Sequence, residues 1–314
     1  MSAPVRMSPT RAAANLSHVI RTVLGDARFP IDVEGWAFEV SRQQPDPIEK
    51  IRKVAIDRFE GMLRRHPERL AWHILYNQQP HYPGRERFTL AHEFGHYLLH
   101  RQDLAAGAGA GADDAAAQDV AYRCNPLDMD RWKAEEERRE DEADTFAAHL
   151  LMPFDDYRAQ VGAMEMSGAL LTHITDRYGV SLTAAVRRWI EFTDSRAAMV
   201  VARDGFALWG RASQAAFRSG IFVRSGMEIP ENSLVGMGQG GSLAVTDRAT
   251  ALPAGVWTFA CGSEPVKELT FISDRLGVSL TILQFERQGG YQLPDEEEPW
   301  DSYDQFLSVP GARG

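Results

Sequence analysis

The sequence has little of what marks secreted, membrane-spanning or nucleic-acid-binding proteins. Its two cysteines, Cys124 and Cys261, are too few and too far apart to indicate a disulfide framework. No stretch approaches the roughly 18 apolar residues of a transmembrane helix, and no apolar run typical of a signal peptide follows the N-terminal arginines. The formal net charge of −10 disfavours unassisted binding to phosphate backbones. We therefore expect a cytoplasmic protein, and 314 residues suggest two domains.

What the chain does contain is the pentapeptide His92-Glu93-Phe94-Gly95-His96. On a helix, histidines four residues apart project from one face, about 40° apart, so both can reach the same ion. The glutamate between them is rotated by about 100° from the first histidine and lies beside that ion. A Zn²⁺ ion held by neutral imidazoles lowers the pKa of bound water to about 7, and a nearby carboxylate can then accept the proton. This HExxH pattern predicts a metallopeptidase site with Glu93 as the general base.

The alternative is a helix that carries two unrelated histidines, one at a cap and one in the core. The surrounding residues argue against it, because they form an apolar face that places the histidines beside buried surface: Phe88, Ala91, Gly95, Leu98 and Leu99. Gly95 is a poor helix former and is tolerated where another element approaches the backbone closely. His100 lies one turn further on and could form a hydrogen bond near the site, although a core or helix-end histidine is the favoured interpretation.

A catalytic zinc usually has three protein ligands, and the third is expected in the acidic stretch 135–144. Its apolar stripe has helical period and consists of Ala143, Phe146, Ala147, Leu150 and Leu151. Glu136 and Glu140 both lie in phase with this stripe, whereas Asp141 and Glu142 fall outside it. We select Glu140 as the ligand and Asp144, one turn later, as the acceptor that orients a ligating histidine. His149 lies about 180° around the helix from Glu140, which disfavours ligation.

Residues 87–100, together with residues 140–153, resemble the ImmA/IrrE family of bacterial metallopeptidases. That family has an RFTLAHE-GH helix followed by an E-x-x-A-N-x-F-A-A-x-L-L-M-P helix, and the likeness covers roughly residues 30–190. The resemblance implies a minimal thermolysin-like (gluzincin) site in which His92, His96 and Glu140 bind zinc and Glu93 is the general base. It further implies that the substrate is a helix-turn-helix repressor or antitoxin. This chain has Asp144 where the family often has asparagine, and its interhelical linker contains an alanine- and glycine-rich insert at 105–112.

The region before the motif predicts helices at 10–24 and 32–41, strands at 54–56 and 70–76, and a turn at 82–84. The metal-binding helix is expected after the last strand of a small sheet. An edge strand of such a sheet often binds an extended substrate by strand addition, and the strand at 70–76 is our candidate.

Cys124 as a zinc ligand is an alternative to a free thiol. Candidates for stabilising the oxyanion are Tyr122, Arg123 and Tyr157.

Residues 167–192 have the pattern of a helix, a glycine turn and a second helix, which is the helix-turn-helix shape. Arg187 and Arg188 could lie near DNA phosphates in such a motif. Two arginines contribute little positive charge to an acidic chain, so two packed helices of the peptidase domain are the favoured interpretation.

From about residue 197 the pattern changes to β, with apolar runs at 199–202, 206–209, 255–259, 269–272 and 280–285. The resemblance implies a GAF-like sensor domain here. The glycine-rich segment 236–241 lacks the strand-to-helix context of a phosphate-binding loop. The acidic tail after residue 293 has the composition of a disordered segment with a short aromatic docking motif.

The predicted fold class is α+β, with domains at residues 1–160 (zincin-like peptidase), 161–195 (helix-turn-helix-like extension), 196–292 (a smaller β-rich α+β domain, GAF-like by resemblance) and 293–314 (acidic tail). The predicted function is a zinc endopeptidase acting in a stress or mobile-element response, with manganese or another divalent ion as an alternative occupant. Two rival hypotheses are a DNA-binding regulator and a partner-binding module with a structural or sensory metal. A purely structural metal site has no need of Glu93, which disfavours both.

Overall fold

The computed structural model describes residues 7–55, 60–78, 83–107, 121–124, 133–162, 164–241, 248–259, 262–273 and 275–286. The chain divides into two compact units. The first contains Met1–Tyr157 and Asp176–Ser181, and the second contains Arg158–Thr175 and Leu182–Gly314. The structure is mixed α+β, which confirms the predicted fold class. The four domain boundaries that we drew from the sequence stay a prediction.

The first unit opens with two helices whose ends follow from local chemistry. Helix α1, Pro9–Leu24, begins with the Ser8 side chain accepting a hydrogen bond from the amide of Arg11 and with Pro9 in its first turn. It ends at Gly25, whose φ of 59° favours glycine. Helix α2, Val33–Ser41, begins where Asp32 accepts a hydrogen bond from the amide of Gly35.

The sheet of the first unit has four strands in the order β1-β3-β2-β4. They are β1 (Ile48–Val54), β2 (Gly61–Arg65), β3 (Trp72–Asn77) and β4 (Ala121–Cys124). Strand β1 is parallel to β3, whereas β2 is antiparallel to both β3 and β4. Trp72, Ile74 and Tyr76 alternate with partly exposed residues along β3, so one face of this strand is buried.

Two long helices follow. Helix α3, Pro83–Gly107, packs against β2 and β3, and helix α4, Lys133–Leu151, packs against α3 and α1. The first turn of α3 is tied to the sheet by ion pairs between Glu86 and Lys53, at 2.6 Å, and between Arg85 and Glu60. The Asp46 carboxylate accepts hydrogen bonds from Trp72, on β3, and Arg101, on α3. These contacts fix α3 relative to the sheet.

Three further helices are α5 (Phe154–Val161), α6 (Gly168–Tyr178) and α7 (Leu182–Phe192). Helices α6 and α7 are joined through Gly179, whose φ of 62° favours glycine. Arg188 on α7 is buried, lies 3.1 Å from Glu191 and stacks over the Phe192 ring at 4.2 Å. A side chain held in this way is not presented to phosphates, which argues against a role for Arg188 in DNA binding.

The second unit contains a five-stranded antiparallel sheet in the order β6-β5-β11-β10-β7. Its strands and a short hairpin are β5 (Ala197–Arg203), β6 (Phe206–Ala212), β7 (Thr250–Leu252), β8 (Thr258–Phe259), β9 (Gly262–Ser263), β10 (Val266–Ser273) and β11 (Val278–Phe285). Helix α8, Gln214–Arg218, and helix α7 pack against β5 and β6. The core contains many small and β-branched residues from the strands, among them Ala198, Val200, Ala202 and Val266.

Several local predictions are wrong. The strand predicted at 70–76 is β3, which is paired on both sides with β1 and β2, so it is not the edge that could accept a substrate strand. Strand β2 was not predicted, and β4 follows α3 instead of preceding it. Strand β1 spans Ile48–Val54, so the strand predicted at 54–56 overlaps it only at Val54, and residue 56 lies outside the described residues. Helix α3 begins at Pro83, within the predicted turn.

In the second unit only Thr258–Phe259 of the predicted strand at 255–259 is extended, and β7 was missed. The segment 236–241 lies in a turn and loop region, as expected. Of the alanine- and glycine-rich insert, residues 105–107 end α3, and 108–112 lie outside the described residues, as does the tail after 286. Among the described helices, none is long and apolar enough to cross a membrane.

Candidate metal centre

Helix α3 carries the three residues of the HExxH motif into the interior of the first unit. Glu93 and His96 have no exposed surface and His92 is 7% exposed. The opposite side of this helix turn is occupied by Phe94, whose ring packs edge-on against Phe146 of α4 at 5.8 Å. A helix buried on both sides places its polar residues where water is scarce, so those residues must find partners within the protein.

Helix α4 brings the acidic residues to the same place. A Cβ atom at Gly95 would lie 3.0 Å from Cδ1 of Phe146 and 3.3 Å from Cα of Ala143. This position therefore has little room for a side chain, as the sequence indicated, and the glycine lets α4 lie close against α3. The close packing carries Glu140 and Asp144 to the histidines.

Donor groups of three residues on the two helices converge. His92 Nε2 lies 2.9 Å from His96 Nε2 and 3.2 Å from Glu140 Oε2, and His96 Nε2 lies 3.4 Å from Glu140 Oε1. Ligands at zinc-like distances around a tetrahedral ion are spaced by about 3.4 Å, so the observed spacing fits one shared cation. The cluster His92, His96 and Glu140 could hold a metal ion.

Each histidine also has a partner for its second ring nitrogen. His92 Nδ1 lies 2.7 Å from Asp144 Oδ1, which is the contact expected of Asp144. His96 Nδ1 lies 2.9 Å from His100 Nδ1, and His100 Nε2 lies 2.9 Å from Glu142 Oε2. If both Nε2 atoms face a cation, each Nδ1 carries the proton and donates it, to Asp144 from His92 and to His100 from His96. His100 then donates its Nε2 proton to Glu142, so one assignment of tautomers satisfies the whole chain.

The electrostatics of the cluster suit a cation. Burial lowers the pKa of His96 to about 3, so its imidazole is neutral at physiological pH. Burial alone would raise the pKa of Glu140, but hydrogen bonds with His92 and His96 hold it below its usual range, so its carboxylate is ionised. The site therefore offers two neutral imidazoles and one carboxylate, a donor set typical of catalytic zinc sites.

Glu93 sits between this cluster and the sheet. Its carboxylate faces β2 at Gly61, where a Cβ atom would lie 2.3 Å from Glu93 Oε1 and 2.7 Å from the methyl carbon of Thr89. The strand backbone thus forms one wall around the carboxylate. Side chains larger than hydrogen at position 61 do not fit without displacing Glu93.

The other candidate ligands and the candidate oxyanion-stabilising residues are not part of this cluster as far as the structure describes them. Glu136, the other in-phase acid, is exposed, and the cluster of three donors does not include it or His149. Tyr157 is buried with its ring stacked on Tyr178 at 5.7 Å, a poor position for a group that must reach a substrate. The side chains of Tyr122, Arg123 and Cys124 lie outside the described part of the chain.

Three residues around the site were not assigned from the sequence. Gly61 was missed because β2 was missed. His100 was assigned to the core or to the helix end, and Glu142 was assigned to a solvated face by its helical phase. The signal available for His100 was its spacing of four residues from His96, which repeats the spacing of His92 and His96. Glu142 carried no signal in the sequence, because its contact depends on the way α4 packs on α3.

The comparisons with known proteins concern the family and the fold. Residues 50–189 match the family model Peptidase_M78, the IrrE N-terminal-like domain. A solved structure described as a Mycobacterium tuberculosis transcriptional regulator has a similar fold, with a TM-score of 0.50 and 14% identity over 88% of this chain and 75% of that chain. At this identity the likeness concerns the fold alone. No curated protein sequence matches significantly. The resemblance to the ImmA/IrrE family is confirmed for residues 50–189, which match the IrrE N-terminal-like domain model.

Proposed function

We propose that the protein is a zinc-dependent endopeptidase that cleaves a helix-turn-helix transcriptional repressor or antitoxin. The observation that carries the proposal is the convergence of His92, His96 and Glu140 beside the buried Glu93. A structural site usually closes around its metal with four protein ligands. Three donors with a carboxylate next to them correspond to a site that keeps one position for water or substrate.

The donor set supports zinc as the metal. Imidazole nitrogens suit zinc and its neighbours among the transition metals, whereas sites for magnesium and calcium are dominated by oxygen ligands. Manganese or another divalent ion is a variant of the same proposal. When bound, such an ion polarises the substrate carbonyl and makes water a better nucleophile at neutral pH.

The residues of the chain have separate tasks in this scheme. Glu93 accepts the proton of the attacking water and then delivers it to the amine that leaves. The wall at Gly61 limits the positions open to the carboxylate, so it is held ready for this transfer. Asp144 and the pair His100–Glu142 fix the rings of His92 and His96 through their second nitrogens.

The substrate class is inferred from the family resemblance. The rival hypothesis, a DNA-binding regulator that uses residues 167–192, is disfavoured because Arg188 is buried against Phe192 and Glu191. A net charge of −10 argues in the same direction. We therefore expect the protein to act on a regulator of transcription and not directly on DNA. We place it in a stress or mobile-element response in the cytoplasm.

The test is co-expression with the helix-turn-helix protein encoded nearest the gene, followed by intact mass measurement of that partner. Wild type and His18→Ala, which alters an exposed histidine on α1, should cleave the partner at one bond. Glu93→Gln should keep its zinc and lose cleavage by about 10²- to 10⁴-fold, the contribution typical of a general base. His92→Ala should lose cleavage and the zinc ion that His92, His96 and Glu140 hold together.

Each outcome bears on a separate part of the proposal. Cleavage by Glu93→Gln at the wild-type rate would contradict the assignment of the base. Full zinc content in His92→Ala would contradict the ligand set. A stable complex without cleavage, in wild type and Glu93→Gln alike, would favour the partner-binding hypothesis over the peptidase.

A further inference from the structure

A second group of metal-ligating side chains lies on the sheet of the first unit, apart from the HExxH cluster. It consists of Glu49, His66 and His73, each of which offers one ligand atom within 4.8 Å of the others. The sheet brings them together, because His73 on β3 is in register with Lys50 of β1 on one side and with Arg64 of β2 on the other. Glu49 precedes Lys50 in β1, and His66 directly follows β2.

We propose that Glu49, His66 and His73 form a second site for a divalent transition-metal ion such as Zn²⁺. Two imidazoles and a carboxylate are the donors that zinc and its neighbours prefer. The two rings are almost perpendicular, at 87°, with centroids 5.4 Å apart, and His73 Nε2 lies 3.9 Å from Glu49 Oε2. An ion placed among them would tie β1, β3 and the end of β2 together.

His73 is the residue that most needs a partner. Its Nε2 atom is buried and accepts or donates no hydrogen bond within the described part of the chain. Burial lowers the pKa of His73, and nearby His66 and Lys50 lower it further, so the imidazole is neutral at physiological pH. A neutral imidazole nitrogen that is buried without a hydrogen bond costs free energy, and a metal ion would satisfy it.

Arg69 occupies part of the space between Glu49 and His66. Its guanidinium lies 2.8 Å from Glu49 Oε2 and 3.0 Å from His66 Nε2. The amide of Glu68 donates to the other ring nitrogen of His66, at 3.1 Å. A neutral imidazole has only one acceptor nitrogen, so it can accept only one of these two hydrogen bonds, and the other donor faces a ring N–H.

Arg69 can make way for an ion. Its side chain is 56% exposed, and ion pairs at such exposure contribute little to stability. Glu68 and Arg69 both lie in the exposed bend 67–70, so one movement of this bend would release both contacts to His66. The Arg69 guanidinium therefore competes with the ion for Glu49 and His66. Removing the arginine should strengthen metal binding.

The experiment uses the full chain with His92→Ala, so that the first cluster is disabled, and measures Zn²⁺ binding by equilibrium dialysis. We expect one bound Zn²⁺ in His92→Ala and its loss on adding either His73→Gln or Glu49→Gln. Adding Arg69→Ala should lower the Kd for Zn²⁺ by at least about tenfold, because a competing positive charge is removed. Arg52→Ala, an exposed arginine of β1, removes the same charge elsewhere and should leave the Kd within about twofold.

A second readout separates binding from folding. Zn²⁺ should raise the melting temperature of His92→Ala but not that of His92→Ala with Glu49→Gln, which alters only an exposed side chain. Zinc binding that is unchanged by both His73→Gln and Glu49→Gln would overturn the proposal. An unchanged or weaker affinity in Arg69→Ala would overturn the role of Arg69 as a competitor. Because the first cluster is disabled throughout, these results do not depend on the peptidase proposal.

Discussion

Gly61 and Glu93 lie in direct contact although they belong to a strand and a helix that are 32 positions apart in the sequence. A Cβ atom at Gly61 would come within 2.3 Å of Glu93 Oε1 and 2.9 Å of Glu93 Cγ. The φ angle of Gly61 lies outside the left-handed region, so glycine is needed here for space and not for backbone conformation. The proposed general base is therefore positioned by the absence of a side chain on the neighbouring strand.

We predict that Gly61→Ala retains the metal and loses most of the peptidase activity. The added methyl group must push Glu93 away, because contacts of 2.3 Å are not tolerated, and a general base displaced by about 1 Å can cost about 100-fold in rate. Zinc content should stay at the wild-type level, since Gly61 does not contact His92, His96 or Glu140 through a side chain. Cleavage rate and metal content measured on the same preparation check both parts.

The control is the double variant. If Gly61→Ala acts through Glu93, it should cause little further loss of activity in a Glu93→Gln background, because the group it displaces is already inactive. Full additivity of the two losses would show that the methyl group acts through another part of the site. Activity equal to wild type in Gly61→Ala would show that Glu93 has room that the structure does not reveal.

The chemistry of the site could be predicted from the sequence because it is encoded locally. His92, Glu93 and His96 lie within one helical turn and a half, and the phase of α4 reduced the acids to Glu136 and Glu140. Gly61 could not be found in this way. Its role depends on β2 lying against α3, and no periodicity within five residues reports on the element that packs against them.

The second nitrogens of the two histidines lead to a prediction about metal affinity. His92 is held by Asp144 directly, whereas His96 is held by His100, which is held in turn by Glu142. We expect Asp144→Ala and His100→Ala each to weaken zinc binding by about 10- to 100-fold, the range typical of such supporting residues. Competition with a chromophoric chelator measures the change.

His149→Ala is the matched control, because it removes a histidine from α4 outside the cluster of donors, and zinc affinity should not change. Asp144→Asn should lose less than Asp144→Ala, because the amide oxygen still accepts the proton from His92. Wild-type affinity in His100→Ala would contradict the chain from His96 to Glu142. It would then follow that His100 serves packing alone, as the sequence suggested.

The fold shows the same division between local and non-local information. Helix α1 was predicted closely because polar and apolar residues alternate at helical period over residues 10–24 and Gly25 marks the end of the helix. The order of the strands was not predicted, because strand pairing depends on contacts between segments that are distant in sequence. The alternating pattern that identifies β3 says nothing about whether its edges are covered, and the structure covers both with β1 and β2.

Acid should destabilise the metal-free protein through His96. The pKa of His96 is about 3 in the folded chain against 6.5 as the ordinary value, so the unfolded chain binds more protons between these two pH values. The free energy of unfolding therefore falls as the pH decreases through this window, by about 2 kcal/mol from this one group between pH 7.5 and pH 5. Glu140 adds to this loss of stability near and below pH 4.5, because its pKa is held under that ordinary value.

Urea unfolding of chelator-treated protein at pH 7.5 and pH 5 measures the effect, with His96→Gln as the comparison. The variant lacks the buried imidazole, so its loss of stability between the two pH values should be smaller by about 2 kcal/mol. Equal losses in the two proteins would show that His96 takes up its proton in the folded chain as readily as in the unfolded one. The imidazole would then lack the buried, neutral character that the proposed metal site requires of it.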